Sequence, residues 1–278
     1  WHAAGLISQL RANLNMTRLA QYSAELYHEL EKKTGISTGI KKNGSLTLAL
    51  SSEREEEILR QLSLAKVFGV EAESVSNKEI EKIYPGINME GVFSGVFVKN
   101  DGQADPSNIT LALAKGARMN GVKIFEDKKI INVLSSSGQV DGVVVENEKN
   151  EVFKIRSKIV INCAGMWSRE LAQLNNINIP LHACEHFYIV TEPIPNLKQL
   201  PVLRVIDECA YYKEDAGKIL LGAFEPKAKP WGMKGIPEDF CFDQLPEDFE
   251  HFEPILEKAI NRFPLLKDVG VHTFFNGP

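Results

Sequence analysis

The chain predicts a mixed fold, α/β joined to α+β, and three observations carry that reading. Helical periodicity alternates with short apolar strands around residues 44–50, 70–75 and 92–98. A block of strands between Ile130 and Ile155, broken by the turn-forming Ser135-Ser136-Ser137-Gly138, reads as a small antiparallel meander. Lys158-Ile159-Val160-Ile161-Asn162-Cys163-Ala164-Gly165 is a near-continuous apolar run that ends in small residues before a helix. That is the pattern of a buried parallel strand delivering a backbone to a nucleotide. Two interleaved modules follow. One, of nucleotide-binding type, takes residues 1–40, 100–178 and 269–278. The other, an antiparallel-sheet module, takes 41–99 and 179–268.

Each element has a local reason. Residues 7–14 read as a connection. Leu19, Tyr22, Leu26 and Leu30 recur at spacings of three and four and predict a helix from about Thr17 to Lys33, closed at Gly35. Gly44 to Leu50 alternates with period two and predicts a strand. Ser52 with Glu55 predicts the capped start of a helix that ends at Gly69. Val70–Val75 is a short strand, and Asn77 caps a short helix that stops before Pro85. Val92–Val98 is a strand, and Asp105-Pro106 starts the next helix, with Asp at the cap and Pro in the first turn. Val122–Phe125 is then a return strand, which makes a crossover unit. Ile130–Leu134, Val140–Val145 and Val152–Ile155 form the meander, and a helix runs from Ser168 to Leu174. His186–Thr191 is a strand. Ala210–Lys213 and Lys218–Phe224 form a hairpin around Glu214-Asp215-Ala216-Gly217. Residues 226–247 are a loop, Phe249–Phe263 a helix, and Val269–Phe275 a last strand.

Composition narrows the function classes. With 278 residues the chain can bury a substantial core in one large or two modest domains. A net charge of -5 leaves no basic excess to neutralise phosphates, which argues against nucleic-acid binding. No apolar run reaches the roughly 20 residues that cross a bilayer, so no membrane partner is expected. Cys163, Cys184, Cys209 and Cys241 are far apart and form no metal or disulfide pattern, which points to a reducing compartment and no metal.

The chemistry concentrates in the first six residues, Trp1-His2-Ala3-Ala4-Gly5-Leu6. Small residues around one imidazole let a backbone approach something flat and bulky. Gly165, Met166 and Trp167 stand at the strand–helix joint, where Gly permits a close approach and Trp can pack over a ring. On predicted strands of the second module, His186, Tyr211 and Tyr212 can hold a carboxylate or orient an amine. Arg204 can pair with a carboxylate, and Glu225 is a weaker candidate. No G-x-G-x-x-G phosphate loop is present, so pattern alone does not support a dinucleotide site.

The opening segment closely resembles the corresponding stretch of the dimethylglycine and sarcosine dehydrogenase family, flavin amine oxidoreductases of the D-amino-acid-oxidase type. The resemblance runs the whole length. It includes Asn43-Gly44-Ser45-Leu46, Asn100-Asp101-Gly102 with Asp105-Pro106, Asn162-Cys163-Ala164-Gly165-Met166-Trp167, His186 to Glu192, Tyr211-Tyr212, Phe263-Pro264 and Asn276-Gly277-Pro278. It implies an FAD-binding, Rossmann-like module lacking its first βαβ unit, because the family's glycine-rich loop lies upstream of the Trp-His segment. It implies FAD contact by Trp1 to Leu6, Ile131, Gly165 and Trp167, with covalent attachment of FAD at His2. Tyr212 and His186 are the expected catalytic residues. The implied reaction is oxidative demethylation of dimethylglycine or sarcosine, with hydride passing from the N-methyl carbon to the flavin. An electron-transfer flavoprotein is the implied electron partner, and tetrahydrofolate would act only through a region beyond Pro278. A cytoplasmic location is favoured over the mitochondrial matrix. The competing expectation is a non-enzymatic regulatory protein of the same fold, similar to the regulatory subunit of pyruvate dehydrogenase phosphatase.

Overall fold

The computed structural model describes residues 2–278; the expectation for Trp1 lies outside them. Along the chain come β1 (Leu6–Ile7), α1 (Leu14–Thr34), β2 (Ser45–Ala49), α2 (Ser52–Phe68), β3 (Ala72–Val75), α3 (Asn77–Ile83), β4 (Ser94–Val98), β5 (Gly102–Gln103) and α4 (Pro106–Met119). They are followed by β6 (Lys128–Ser136), β7 (Gln139–Asn147), β8 (Val152–Arg156), α5 (Ser168–Gln173), β9 (His186–Thr191), β10 (Val202–Val205), β11 (Ala210–Asp215), β12 (Lys218–Ala223), α6 (Phe249–Arg262) and β13 (Val271–Gly277). The fold is mixed α/β, as expected.

Two compact units form. The first comprises residues up to Gly121, His186–Lys227 and Gln244–Gly277; the second comprises Val122–Glu185 and Ala228–Asp243. Their boundaries fall at 121, 185, 227 and 243, where the sequence suggests breaks near 40, 100, 178 and 268. The first unit is built on an eight-stranded sheet in the order β13-β9-β12-β11-β10-β2-β4-β3. All its pairings are antiparallel except β10 with β2, which run parallel.

Pleating sorts the side chains of this sheet. One face carries Leu46, Leu48, Phe187, Ile189, Leu203, Tyr212, Ile219 and Leu221, packed with Phe252, Ile255 and Ala259 of α6 and with Ile80 of α3. The apolar positions of α6 recur at helical spacing, so burying that stripe against the sheet is what holds the helix. On the opposite face, Tyr188, Tyr211 and Leu220 form a smaller cluster with Ala4, Leu6, Val190 and Phe275. Cross-strand register explains its shape. Gly222 on β12 is paired with Tyr211 on one side and with Tyr188 on the other. A Cβ at 222 would fall 1.9 Å from Cζ of Tyr211. The glycine is therefore the flat spot over which the Tyr211 ring lies.

Caps set the helix ends. Asn13, Ser51 and Asp105 each accept a backbone N–H of the first turn through the side chain, and Ser76 forms a capping box with Glu79. Two caps thus stand one residue before Ser52 and Asn77, where the sequence suggests them.

Two expectations fail. The run Lys158–Gly165 forms no strand up to Ala164, and Ile159 and Ile161 are 75% and 79% exposed. An extended segment needs ladder partners for its backbone, and among the described residues no strand pairs with it. Val122–Phe125 likewise forms no strand, so the crossover unit is absent. α1 forms as expected; its buried positions are Thr17, Ala24, Leu30 and Thr34, so that Leu30 of the apolar stripe packs inward while Leu19 and Tyr22 are exposed. β10 sits mid-sheet in a stretch for which the sequence suggests no element.

The second unit contains the antiparallel meander β6-β7-β8 and α5. Gly165–Trp167 is a single 3₁₀ turn leading directly into α5.

Replacing Gly222 by Ala should force the Tyr211 ring off its seat and cost about 1–3 kcal/mol. Urea unfolding of the Gly222→Ala protein measures this.

Candidate active site

A cavity of about 530 Å³ opens on the face of the first unit that carries Tyr188 and Tyr211. One wall is the ribbon His2-Ala3-Ala4-Gly5-Leu6; the other is sheet, with Tyr188, Tyr211 and Phe224. Ser8, Arg11, His186 and Arg204 bring the polar groups.

The ribbon is held at both levels of its backbone. Leu6 and Ile7 pair with Gln103 and Gly102. The Gly5 carbonyl accepts from Ala104 N–H at 2.8 Å. Gly5 has φ +77°, and a Cβ there would meet the Ala104 carbonyl oxygen at 2.2 Å. Only glycine fits that conformation and approach. The Ala4 carbonyl accepts from Lys213 Nζ at 2.9 Å. The His2 ring packs against Gly277.

The aromatic wall is ordered by ring contacts. Tyr188 stacks on Phe275 with centroids 4.5 Å apart, and Tyr211 leans on Phe224 at 5.1 Å. Burial pushes the Tyr188 phenol from 10.0 up to about 12. Burial raises Tyr211 as well, with Tyr188 and Glu225 adding to it. Both phenols are therefore proton donors at neutral pH.

At one side stands a His–Glu pair. His186 Nδ1 lies 2.7 Å from Glu225 Oε2. The other carboxylate oxygen of Glu225 accepts Phe187 N–H at 2.7 Å. The Glu225 side chain is only 5% exposed, whereas the His186 ring is half exposed. A buried carboxylate fixed by a backbone donor orients the imidazole and turns Nε2 outward.

At the other side two guanidinium groups converge. Arg204 Nη2 donates to Ser8 Oγ at 2.9 Å, and Arg11 Nη1 donates to the same oxygen at 2.7 Å. Burial lowers the Arg204 pKa, the Asp101 charge opposes that shift, and Arg11 adds to it. Asp101 is itself occupied: Ser45 Oγ donates to it at 2.6 Å and Gln9 N–H at 2.9 Å. Burial nevertheless pushes its carboxyl above the ordinary value. Two cations thus share the influence of one carboxylate that is already hydrogen-bonded elsewhere.

The structure brings His2, Ala3, Ala4, Gly5, Leu6, His186, Tyr211 and Arg204 to one cavity, with Glu225 behind His186. It moves Tyr212 out. That residue is fully buried on the opposite face among core side chains, because successive strand residues alternate. Its hydroxyl has no hydrogen-bond partner. Tyr211 takes the place expected of Tyr212. Ile131, Gly165 and Trp167 belong to the second unit. Ile131 sits half-buried on β6 at a bulge, Gly165 has φ +55° with open space around its Cα, and Trp167 is 41% exposed. Sequence reasoning missed Ser8, Arg11 and Tyr188. An alternation count along His186–Thr191 would have found Tyr188.

The residues fit a flat ring system. A ribbon of small residues faces an aromatic wall, and the volume lies within the roughly 300–1,000 Å³ typical of cofactor and ligand sites. The family model "FAD dependent oxidoreductase" (DAO) matches residues 1–277, and the chain belongs to that family. It is 35% identical over 279 residues to the mouse mitochondrial pyruvate dehydrogenase phosphatase regulatory subunit, covering 99% of this chain and 31% of that protein. It is 33% identical to the formaldehyde-forming 4-methylaminobutanoate oxidase of Paenarthrobacter nicotinovorans, covering 100% and 33%. It is 30% identical to human mitochondrial sarcosine dehydrogenase, covering 100% and 30%. The chain therefore spans about a third of the length of these relatives. L-proline dehydrogenase from P. horikoshii superposes with a TM-score of 0.84 at 22% identity, over 99% of this chain and 70% of that one, which shows the fold. None of the described helices is long and apolar enough to cross a membrane.

Two predictions follow from the geometry. Tyr212→Phe should leave stability unchanged or raise it by up to about 1 kcal/mol, since no bonded partner is lost; urea unfolding checks this. Tyr84, Tyr188, Tyr211 and Tyr212 are all held above the ordinary 10.0, so phenolate absorbance of the native protein near about pH 11 should lack four tyrosines. A folded pKa above the unfolded one gives stability that is full below pH 10.0 and lost as pH rises, for Tyr188 through about 12.

Proposed function

We propose that the protein is an FAD-dependent amine dehydrogenase or oxidase that demethylates an N-methylglycine-type substrate, sarcosine or dimethylglycine. The observation that carries the reading is the Arg204–Ser8–Arg11 cluster, two guanidiniums at the cavity with neither in an ion pair among the described residues. A substrate carboxylate supplies the missing charge, and a charge-assisted bond to guanidinium is of the strong kind.

FAD, when bound, supplies a two-electron acceptor for the hydride of the N-methyl carbon. His2 to Leu6 would hold it against the aromatic wall, with His2 as the covalent anchor; Gly165, Trp167 and Ile131 are proposed as further FAD contacts. Arg204 and Arg11 fix the substrate by its carboxylate. Nε2 of His186, oriented through Glu225, takes the proton of the substrate ammonium, because only the neutral amine has a lone pair to support loss of hydride. Tyr211, kept protonated by burial, donates to the bound substrate. An electron-transfer flavoprotein as acceptor and tetrahydrofolate in a region beyond residue 278 belong to the same proposal.

A second reading, a regulatory protein without turnover, is favoured by the 35% identity to the mouse regulatory subunit. The test is optical. The full-length protein should be yellow, keep its colour through acid precipitation, and bleach anaerobically with sarcosine or dimethylglycine. Arg204→Met should raise the KM about 10–100-fold, equivalent to losing a charged hydrogen bond of about 1.5–3 kcal/mol. A colourless full-length protein sinks the enzyme reading in favour of the regulatory one.

A further inference from the structure

We propose that Lys213 is a positioning residue, which clamps the Ala4 carbonyl and thereby sets the ribbon that carries His2; this rests on the FAD reading above. Lys213 lies two residues beyond Tyr211 on β11, hence on the same face of the sheet. Its side chain is 4% exposed. Its ammonium donates to the Ala4 carbonyl at 2.9 Å and pairs with Asp215 Oδ2 at 3.0 Å.

The placement is unusual on physical grounds. Lysine is almost never fully buried unless paired, and an apolar side chain of similar volume serves packing at least as well. What an apolar side chain cannot do is hold a carbonyl. The β1–β5 ladder covers Leu6 and Ile7, and the bond from Ala104 reaches back to Gly5. Ala4 is the next residue upstream. Lys213 extends the attachment of the ribbon by that residue, from the sheet side, two residues from His2. Asp215, which is 54% exposed, holds the ammonium from the solvent end of the strand. A ribbon fixed in this way is ordered before anything enters the cavity, so little conformational freedom is lost on binding.

The test is amide hydrogen exchange on the full-length protein. In Lys213→Met, peptides covering residues 3–6 should exchange about tenfold faster, the loss of one charge-assisted hydrogen bond, while β12 and β13 stay at wild-type rates. Lys213→Arg should restore ribbon protection. Flavin retained through acid precipitation, per polypeptide, should fall in Lys213→Met and recover in Lys213→Arg. Unchanged ribbon exchange in Lys213→Met, or acceleration spread evenly over the sheet, overturns the proposal. Should Lys213→Met not fold, Asp215→Asn decides: faster exchange confined to the ribbon supports the clamp, and unchanged exchange overturns it. A colourless wild type sinks the FAD reading, while the exchange comparison still judges the clamp.

Discussion

The cavity depends on the pleat of one strand. Along β11, Tyr211 and Lys213 face the ribbon, while Tyr212 faces the core. A slip of one residue would exchange these roles, burying the ammonium in the core and presenting a different phenol. The register is held from both sides. The hairpin to β12 pairs Ala210 to Asp215 with Lys218 to Ala223, and β10 pairs Leu203 with Tyr212 on the other edge. The tight turn at Ala216 and Gly217, both at positive φ, fixes the phase of the hairpin. Chemistry on one face is thus secured by packing on the other.

The charges around the cavity are arranged unequally. On one side a buried carboxylate is fully used, binding a backbone amide and an imidazole. On the other, two guanidiniums share a hydroxyl and, among the described residues, meet no carboxylate at contact distance. Partial burial makes such an imbalance more than a surface detail, since water does not fully screen it. An amino-acid zwitterion has the complementary polarity, with its carboxylate for the arginines and its ammonium for the histidine.

Much of this was legible in the sequence because it is locally encoded. Helix caps, the hairpin turn and the meander each follow from a few adjacent residues, and the structure moves two caps by a single position. The place of His2–Leu6 at the cavity was also legible, through resemblance to the dimethylglycine and sarcosine dehydrogenase family, and that of His186 from its position on a predicted strand. What failed was what depends on distant partners. The run 158–163 has the composition of a central strand, but a strand exists only with a neighbour to bond. The apolar stripe of α1 was read correctly as helical, but which of its members pack inward was not legible: Leu30 is buried with Thr17 and Ala24, while Leu19 and Tyr22 face outward. Tyr211 and Tyr212 could not be told apart without knowing which face of β11 is core. β10, four residues between loops, lacks the length to show a period at all.

The parallel junction between β10 and β2 has a consequence in time. Residues 45–47 bond to residues 202–204, across more than half the chain. β2, β4 and β3, with α2 between, can assemble early from a contiguous stretch, but one edge of β2 then waits for a strand made some 150 residues later. Contacts of such separation slow folding, and a waiting strand edge invites the wrong partner. During synthesis, the half-sheet that ends at β2 stands as an open template until β10 leaves the ribosome. The arginine at 204, on that closing strand, reaches Ser8 only once this last joint is made.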